Sequence, residues 1–203
     1  MSLSKLKFKH VNILKDEVLG AGAYGTVYKA KCDDLLCAAK CLHHAILYQS
    51  GLQAEYSGSP VSRFGREINF LSSFHHPNIV QYLGVYEELD TKQPVLLLEL
   101  MDRSLTKYLA ESVSQLIPYH LQVSICHDVA LALSFLHHNN IFHRDLSSNN
   151  ILMLGNRAKI TDFGMAKIKA ITNRMTQCPG THVYMPPEAL IGTPKYDSRQ
   201  DQR

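Results

Sequence analysis

The stretch His143-Arg144-Asp145-Leu146-Ser147-Ser148-Asn149-Asn150, followed after one short apolar run by Asp162-Phe163-Gly164, decides how this 203-residue chain is read. A single acid beside a basic residue carries no information. Here Asp145 is followed by Asn150, and a second acid, Asp162, stands directly before Phe-Gly. Moving a phosphoryl group needs one side chain that orients the attacking hydroxyl. It also needs oxygen donors that hold Mg²⁺ against nucleotide phosphates. Asp145 suits the first task, and Asn150 with Asp162 suits the second.

The sequence around this stretch reads as its scaffold. Residues 118–137 carry Leu121, Ile125, Val129, Leu133 and Leu136 at helical spacing behind Pro118, which predicts a long amphipathic helix opened by proline and ended by Asn139-Asn140. Ile151-Leu152-Met153-Leu154 and Lys159-Ile160-Thr161 predict a short hairpin around Gly155-Asn156.

Further upstream, Gly20-Ala21-Gly22-Ala23-Tyr24-Gly25 lies between two strand-like runs, 12–19 and 27–30. Glycines there let backbone N–H groups approach phosphates, because no Cβ intervenes. Alone, this spacing also describes a plain hairpin turn. The strand after it argues against a dinucleotide fold, where a helix would follow. Leu36-Cys37-Ala38-Ala39-Lys40-Cys41-Leu42 is an apolar strand broken by one Lys, which needs an anionic partner if buried. Residues 48–62 are Gly- and Ser-rich and read as a loop. Residues 63–74 regain helical spacing, with Phe64, Ile68 and Leu71 on one face and Glu67 beside them, until His75-His76-Pro77 stops the helix. Two strand-like runs follow, 79–86 and 95–100, and then a short helix begun by Asp102 and Ser104.

These motifs, in this order, make the chain resemble a eukaryotic-type protein kinase domain of the serine/threonine or tyrosine-kinase-like branch. The resemblance implies an α+β, two-lobed fold. A small antiparallel β lobe with one main helix would occupy 12–98, and a helical lobe 99–203, left incomplete near the start of the family's central core helix. It implies ATP and Mg²⁺ as cofactors, with ATP between the lobes. Asp145 would be the catalytic Asp that orients the attacking hydroxyl, with Lys40 held by Glu67 on the phosphates and Asn150 and Asp162 as metal ligands. Leu19, Gly20, Gly22, Gly25, Val27, Ala38, Glu99, Met101 and Leu152 would surround the nucleotide, and Leu98 would guard the pocket behind the adenine. Leu71, Tyr82, His143 and Phe163 match the family's stacked side chains. Replacing Lys40 with Met is expected to abolish transfer and leave the fold.

The resemblance extends to an activation segment from Asp162 to Glu188. Thr172 and Thr176 are its expected phosphosites, Thr176 first, and Thr181 is expected to brace the catalytic Asp. Pro186-Pro187-Glu188 replaces the family's Ala-Pro-Glu ending. Ser147 stands where serine/threonine kinases usually carry Lys, and Asn149 where tyrosine kinases can carry Arg. The loop therefore fits neither pattern, while Gly180-Thr181-His182-Val183-Tyr184 favours Ser/Thr specificity. Asp201 would tether the catalytic loop, and Glu188 would pair with an Arg beyond Arg203. An incomplete copy of an active kinase, a nucleotide-binding or regulatory fragment with little activity, and a protein tyrosine kinase remain open here.

Composition agrees with a folded domain rather than a disordered one, since 45% of residues are hydrophobic. The balance of 21 Lys+Arg against 18 Asp+Glu lacks the basic bias of a nucleic-acid binder. An odd count of 5 Cys without Cys-x-x-Cys suits reduced thiols. No signal sequence or membrane segment is visible. A cytoplasmic location is the expectation, with a protein substrate and ATP as partners and no nucleic acid.

Overall fold

The computed structural model describes residues 8–22, 25–43, 60–88, 90–91, 93–112, 116–165 and 167–168. The chain divides into two compact units, residues 1–75 with 80–101, and residues 76–79 with 102–203.

The first unit is a five-stranded antiparallel sheet in the order β1-β2-β3-β5-β4. Its strands are β1 (Val11–Ala21), β2 (Gly25–Cys32), β3 (Leu35–Leu42), β4 (Tyr82–Glu87) and β5 (Pro94–Glu99). Strand alternation sorts the side chains of β3 and β5 between two faces. Cys37, Ala39, Val95 and Leu97 join Ala30, Cys32 and Leu83 in one buried cluster, against which Phe8 also packs. The basic lead-in is thus anchored: Asp33 accepts hydrogen bonds from the backbone N–H groups of Lys9 and His10. Helix α1 (Pro60–Ser73) serves the other face of β3. It begins three residues before the expected start at 63, with Pro60 in the first turn, where a missing N–H does no harm. The rest of the expected loop, 48–59, lies outside the described residues.

The second unit carries α2 (Leu105–Glu111) and α3 (Tyr119–His138), with small sheets from β6 (Arg103–Ser104), β7 (Ile141–Phe142), β8 (Ile151–Leu154), β9 (Arg157–Ile160) and β10 (Lys167–Ile168). Ser104 caps α2 by accepting from the Lys107 N–H. Helix α3 buries Leu121, Ile125, Leu133 and Leu136, as its spacing predicts, and Asn139 caps its end. Leu121 and Ile125 pack on Ile151, Met153 and Ala158, each of the four larger side chains contributing about 2 kcal/mol of burial. Gly155 opens the two-residue turn between β8 and β9 with φ 57°. The architecture is α+β in two units, the first β-rich with one main helix and the second helical.

Strand β4 starts at Tyr82 rather than at the expected Ile79. Ile79 instead bridges Ile160 in parallel, within the second unit. Among the described residues no helix is long and apolar enough to cross a membrane.

Candidate active site

In the first unit Lys40 lies on β3 directly opposite Val27 of β2 and Leu96 of β5. An ammonium group between such neighbours needs a counter-charge. Glu67 of α1 supplies it. The Lys40 Nζ donates to Oε1 at 2.9 Å and Oε2 at 2.7 Å, and the Glu67 side chain is only 2% exposed. Helical spacing places Glu67 between the buried Phe64 and Leu71, so the packing of those two fixes where the carboxylate goes.

The β1–β2 turn is closed by the Gly22 N–H donating to the Gly25 carbonyl at 3.0 Å. The glycines are not equivalent. A Cβ on Gly25 would run into the Cys41 carbonyl oxygen, so Gly25 permits the close approach of β2 to β3. A Cβ on Gly20 or Gly22 would meet nothing within 4 Å. Among the described residues the space beside these two is open. Leu19 is exposed, Val27 half-buried, and Ala38, Leu98, Leu71 and Met101 buried. The Glu99 N–H donates to the Gln81 carbonyl at 3.0 Å, and its carboxylate accepts from the Gln81 N–H at 2.6 Å. Burial raises the Tyr82 pKa above the ordinary phenol value.

In the second unit the segment between β7 and β8 brings the sequence-predicted acids together with their neighbours. His143 is fully buried. Its Nδ1 accepts from the Asp145 N–H at 3.4 Å, and its Nε2 lies 2.9 Å from the Thr161 carbonyl. That pairing selects the neutral tautomer with the proton on Nε2, which donates to Thr161. The imidazole also meets the buried Phe163 ring edge-on at 5.0 Å. Asn150 is the second node. Its Nδ2 donates to the Asp145 carbonyl at 2.7 Å and to Asp145 Oδ2 at 3.2 Å, while its own carbonyl accepts the Thr161 N–H at 2.9 Å. Asp145 and the residue preceding Asp162 are therefore tied twice, through His143 and through Asn150. Arg144 and Asp162 both adopt positive φ, 69° and 64°. A left-handed backbone is unfavourable for such residues and persists only where the surroundings impose it. Ser147 is buried. Leu152 points away from the Ile151–Met153 face of its hairpin and is half-buried.

The donor chemistry fits the groups that the motifs imply. With its Nδ2 turned to Asp145, Asn150 directs Oδ1 elsewhere, and Asp162 adds a carboxylate. Hard oxygen donors of this kind suit Mg²⁺. Lys40 offers a fixed positive charge, and the open space at Gly20 and Gly22 leaves room for a phosphate to approach the turn.

Two buried polar residues escape a motif-based reading, Asn78 and Asp128, at 0% and 2% exposure. Both bond to β9, the strand leading to Asp162. The signal for Asp128 is an acid on the apolar face of α3, three residues after Ile125. Tyr24, Thr172, Thr176, Thr181, Pro186, Pro187, Glu188 and Asp201 lie outside the described residues.

The sequence pattern of the protein kinase domain matches residues 13–202. The chain is 29% identical over 182 residues to the dual specificity protein kinase shkC of Dictyostelium discoideum, covering 87% of this chain and 34% of the relative. It is 34% identical to the serine/threonine-protein kinase STY46 of Arabidopsis thaliana, over 99% of this chain and 32% of the relative. It is 36% identical to the CTD kinase subunit alpha of Saccharomyces cerevisiae, over 90% of this chain and 33% of the relative. The chain thus spans about a third of the length of these curated relatives. The match over 13–202 establishes that this chain belongs to the protein kinase domain family.

Proposed function

We propose that residues 12–203 form an ATP-dependent protein kinase domain, with lobes at 12–98 and 99–203, that transfers the γ-phosphoryl group of ATP to Ser or Thr hydroxyls of protein substrates in the cytoplasm. The observation that carries this reading is the Asp145–Asn150 pair, in which one amide holds both the backbone and the carboxylate of the acid.

Asp145 orients the substrate hydroxyl and accepts its hydrogen bond; Asn150 keeps the carboxylate from rotating away, and His143 holds the Asp145 backbone. Lys40, fixed by Glu67, pairs with the α- and β-phosphates. The N–H groups around Gly20, Gly22 and Gly25 cover the phosphates, with Gly25 also setting the strand spacing. Leu19, Val27, Ala38 and Leu152 contact the adenine faces, and the backbone of Glu99 and Met101 reads its edge. Asn150 Oδ1 and the Asp162 carboxylate would hold Mg²⁺. When bound, Mg²⁺ neutralises charge on the phosphate oxygens. Catalysis of this reaction is mainly positioning and charge stabilisation.

Ser147 favours a second reading. A buried hydroxyl replaces the cation expected beside Asp145, and one relative is named a dual specificity kinase. Acceptance of Tyr as well as Ser and Thr is that alternative. Incubation with Mg²⁺–ATP and casein, read by phosphopeptide mass spectrometry, separates the two. Phosphoserine and phosphothreonine, absent with Asp145→Asn, support the first reading; added phosphotyrosine supports the second. Equal transfer by Asp145→Asn contradicts both.

A further inference from the structure

Strand β9 is the outer strand of the β6-β8-β9 sheet, and it runs directly into Thr161 and Asp162. An edge strand leaves alternate N–H and C=O groups without a strand partner. Here two buried polar residues from distant parts of the same unit take those groups. The Ala158 N–H donates to Asp128 Oδ2 at 3.0 Å, which also accepts from Arg157 Nε at 3.0 Å. The Ala158 carbonyl accepts from Asn78 Nδ2 at 3.1 Å. The Ile160 N–H donates to the Asn78 carbonyl at 2.9 Å, and Ile79 forms a parallel bridge to Ile160.

Burying an amide and a carboxylate is unfavourable unless their bonds compensate. Asn78 gains little from its other end, since Oδ1 has no hydrogen-bond partner among the described residues. What these two side chains share is the outer edge of one four-residue strand. Its far end is Ile160, two positions before Asp162.

We propose that Asn78 and Asp128 are positioning residues that clamp β9 from its open edge and thereby fix the backbone that presents Asp162. The inference rests on reading Asp162 as the Mg²⁺-holding carboxylate. Without the two side chains β9 keeps β8 and the main-chain contacts of Asn78 and Ile79 with Ile160 but loses both outer partners of Ala158, and the left-handed conformation at Asp162 loses part of its support.

The test uses the full chain with Asp128→Leu, Asp128→Asn and Asn78→Leu, and Asp162→Ala as reference. The first readout requires neither nucleotide nor metal: hydrogen exchange at the Ala158 and Ile160 amides. The expected result is exchange about tenfold faster at Ala158 in Asp128→Leu, which loses the acceptor of that amide, and a smaller acceleration in Asn78→Leu, which loses the bond to the Ala158 carbonyl. Asp128→Asn retains an oxygen for the Ala158 N–H and should return towards wild type. The second readout is the Mg²⁺ concentration giving half of the thermal stabilisation by ATP, expected to rise about tenfold in the Leu variants, as for other residues supporting a metal ligand. If a Leu variant does not fold, Asn78→Asp, which sets a carboxylate against the Ala158 carbonyl, supplies both readouts. Wild-type exchange, or wild-type Mg²⁺ dependence, in the folded variants overturns the clamp while an impaired Asp162→Ala leaves the metal reading intact. An Asp162→Ala chain with unchanged Mg²⁺ dependence overturns that reading, and this inference with it.

Discussion

Replacing Lys40 with Met should do more than remove a phosphate contact. Both Glu67 oxygens lie within 2.9 Å of Lys40 Nζ, and the Glu67 side chain is 2% exposed. Removing the ammonium therefore takes the close counter-charge from a carboxylate that water scarcely reaches. Breaking a buried pair from one side costs about 3–5 kcal/mol. The Lys40 side chain is 21% exposed, and partial access for water puts the expected loss at the lower end, about 3 kcal/mol. For a chain of this size that lowers Tm by roughly 6–12 °C. Glu67→Leu added to Lys40→Met removes the buried carboxylate as well and should restore most of the loss, because an apolar pair of similar volume is about as stable as the ion pair. Thermal unfolding of the two single variants and the double variant, without nucleotide, is the assay. A Lys40→Met chain that melts with the wild type would refute the reasoning, and so would a double variant as unstable as the sum of the singles. The expectation that Lys40→Met leaves the fold untouched must accordingly be tempered: loss of transfer in that variant is interpretable only beside its Tm.

Other consequences are equally open to measurement. Gly25→Ala, whose Cβ meets the Cys41 carbonyl, should lose about 1–3 kcal/mol, whereas Gly20→Ala and Gly22→Ala should stay within about 0.5 kcal/mol of wild type; thermal melts of the three decide this. Burial lowers the His76 pKa below its ordinary value, and its Nδ1 accepts the Asn78 N–H at 3.1 Å. The unfolded chain then takes up a proton first, so this contribution to stability is present above about pH 6.5 and lost as pH falls through the folded value. A His76→Leu chain should accordingly show a flatter Tm profile between about pH 7.5 and 5. Burial raises the pKa of the Cys32 and Cys37 thiols, and that of Cys41 to about 11. Iodoacetamide mapped by peptide mass spectrometry should label exposed Cys126 in the native chain and reach Cys32 and Cys37 only after denaturation.

The parts legible in sequence are those whose geometry is local or enforced by period. Asp145 and Asn150 sit in one loop, and Glu67 follows from the helical spacing of Phe64 and Leu71. The two-residue turn at Gly155 is a local glycine effect. What escaped depends on distance. The apolar run 79–86 looks like one strand, yet Ile79 pairs with Ile160, a contact that strand periodicity does not encode. Asn78 reaches a strand 80 residues away, and nothing in its own neighbourhood announces that. Asp128 could have been found, because a lone acid between Ile125 and Ala132 on a buried helix face demands a partner. The distinct duties of Gly20 and Gly25 are also invisible in the motif, since only the β2–β3 register brings Cys41 against Gly25.

The most direct test of the central claim is thermal unfolding of the 203-residue chain with and without Mg²⁺–ATP. A ligand stabilises only the state it binds, by about 2.7 kcal/mol at a hundred times its Kd. The expected result is a cooperative transition that Mg²⁺–ATP raises by roughly 5–11 °C, a rise that depends on Mg²⁺ and is absent in Asp162→Ala. A cooperative transition that Mg²⁺–ATP does not move would contradict it.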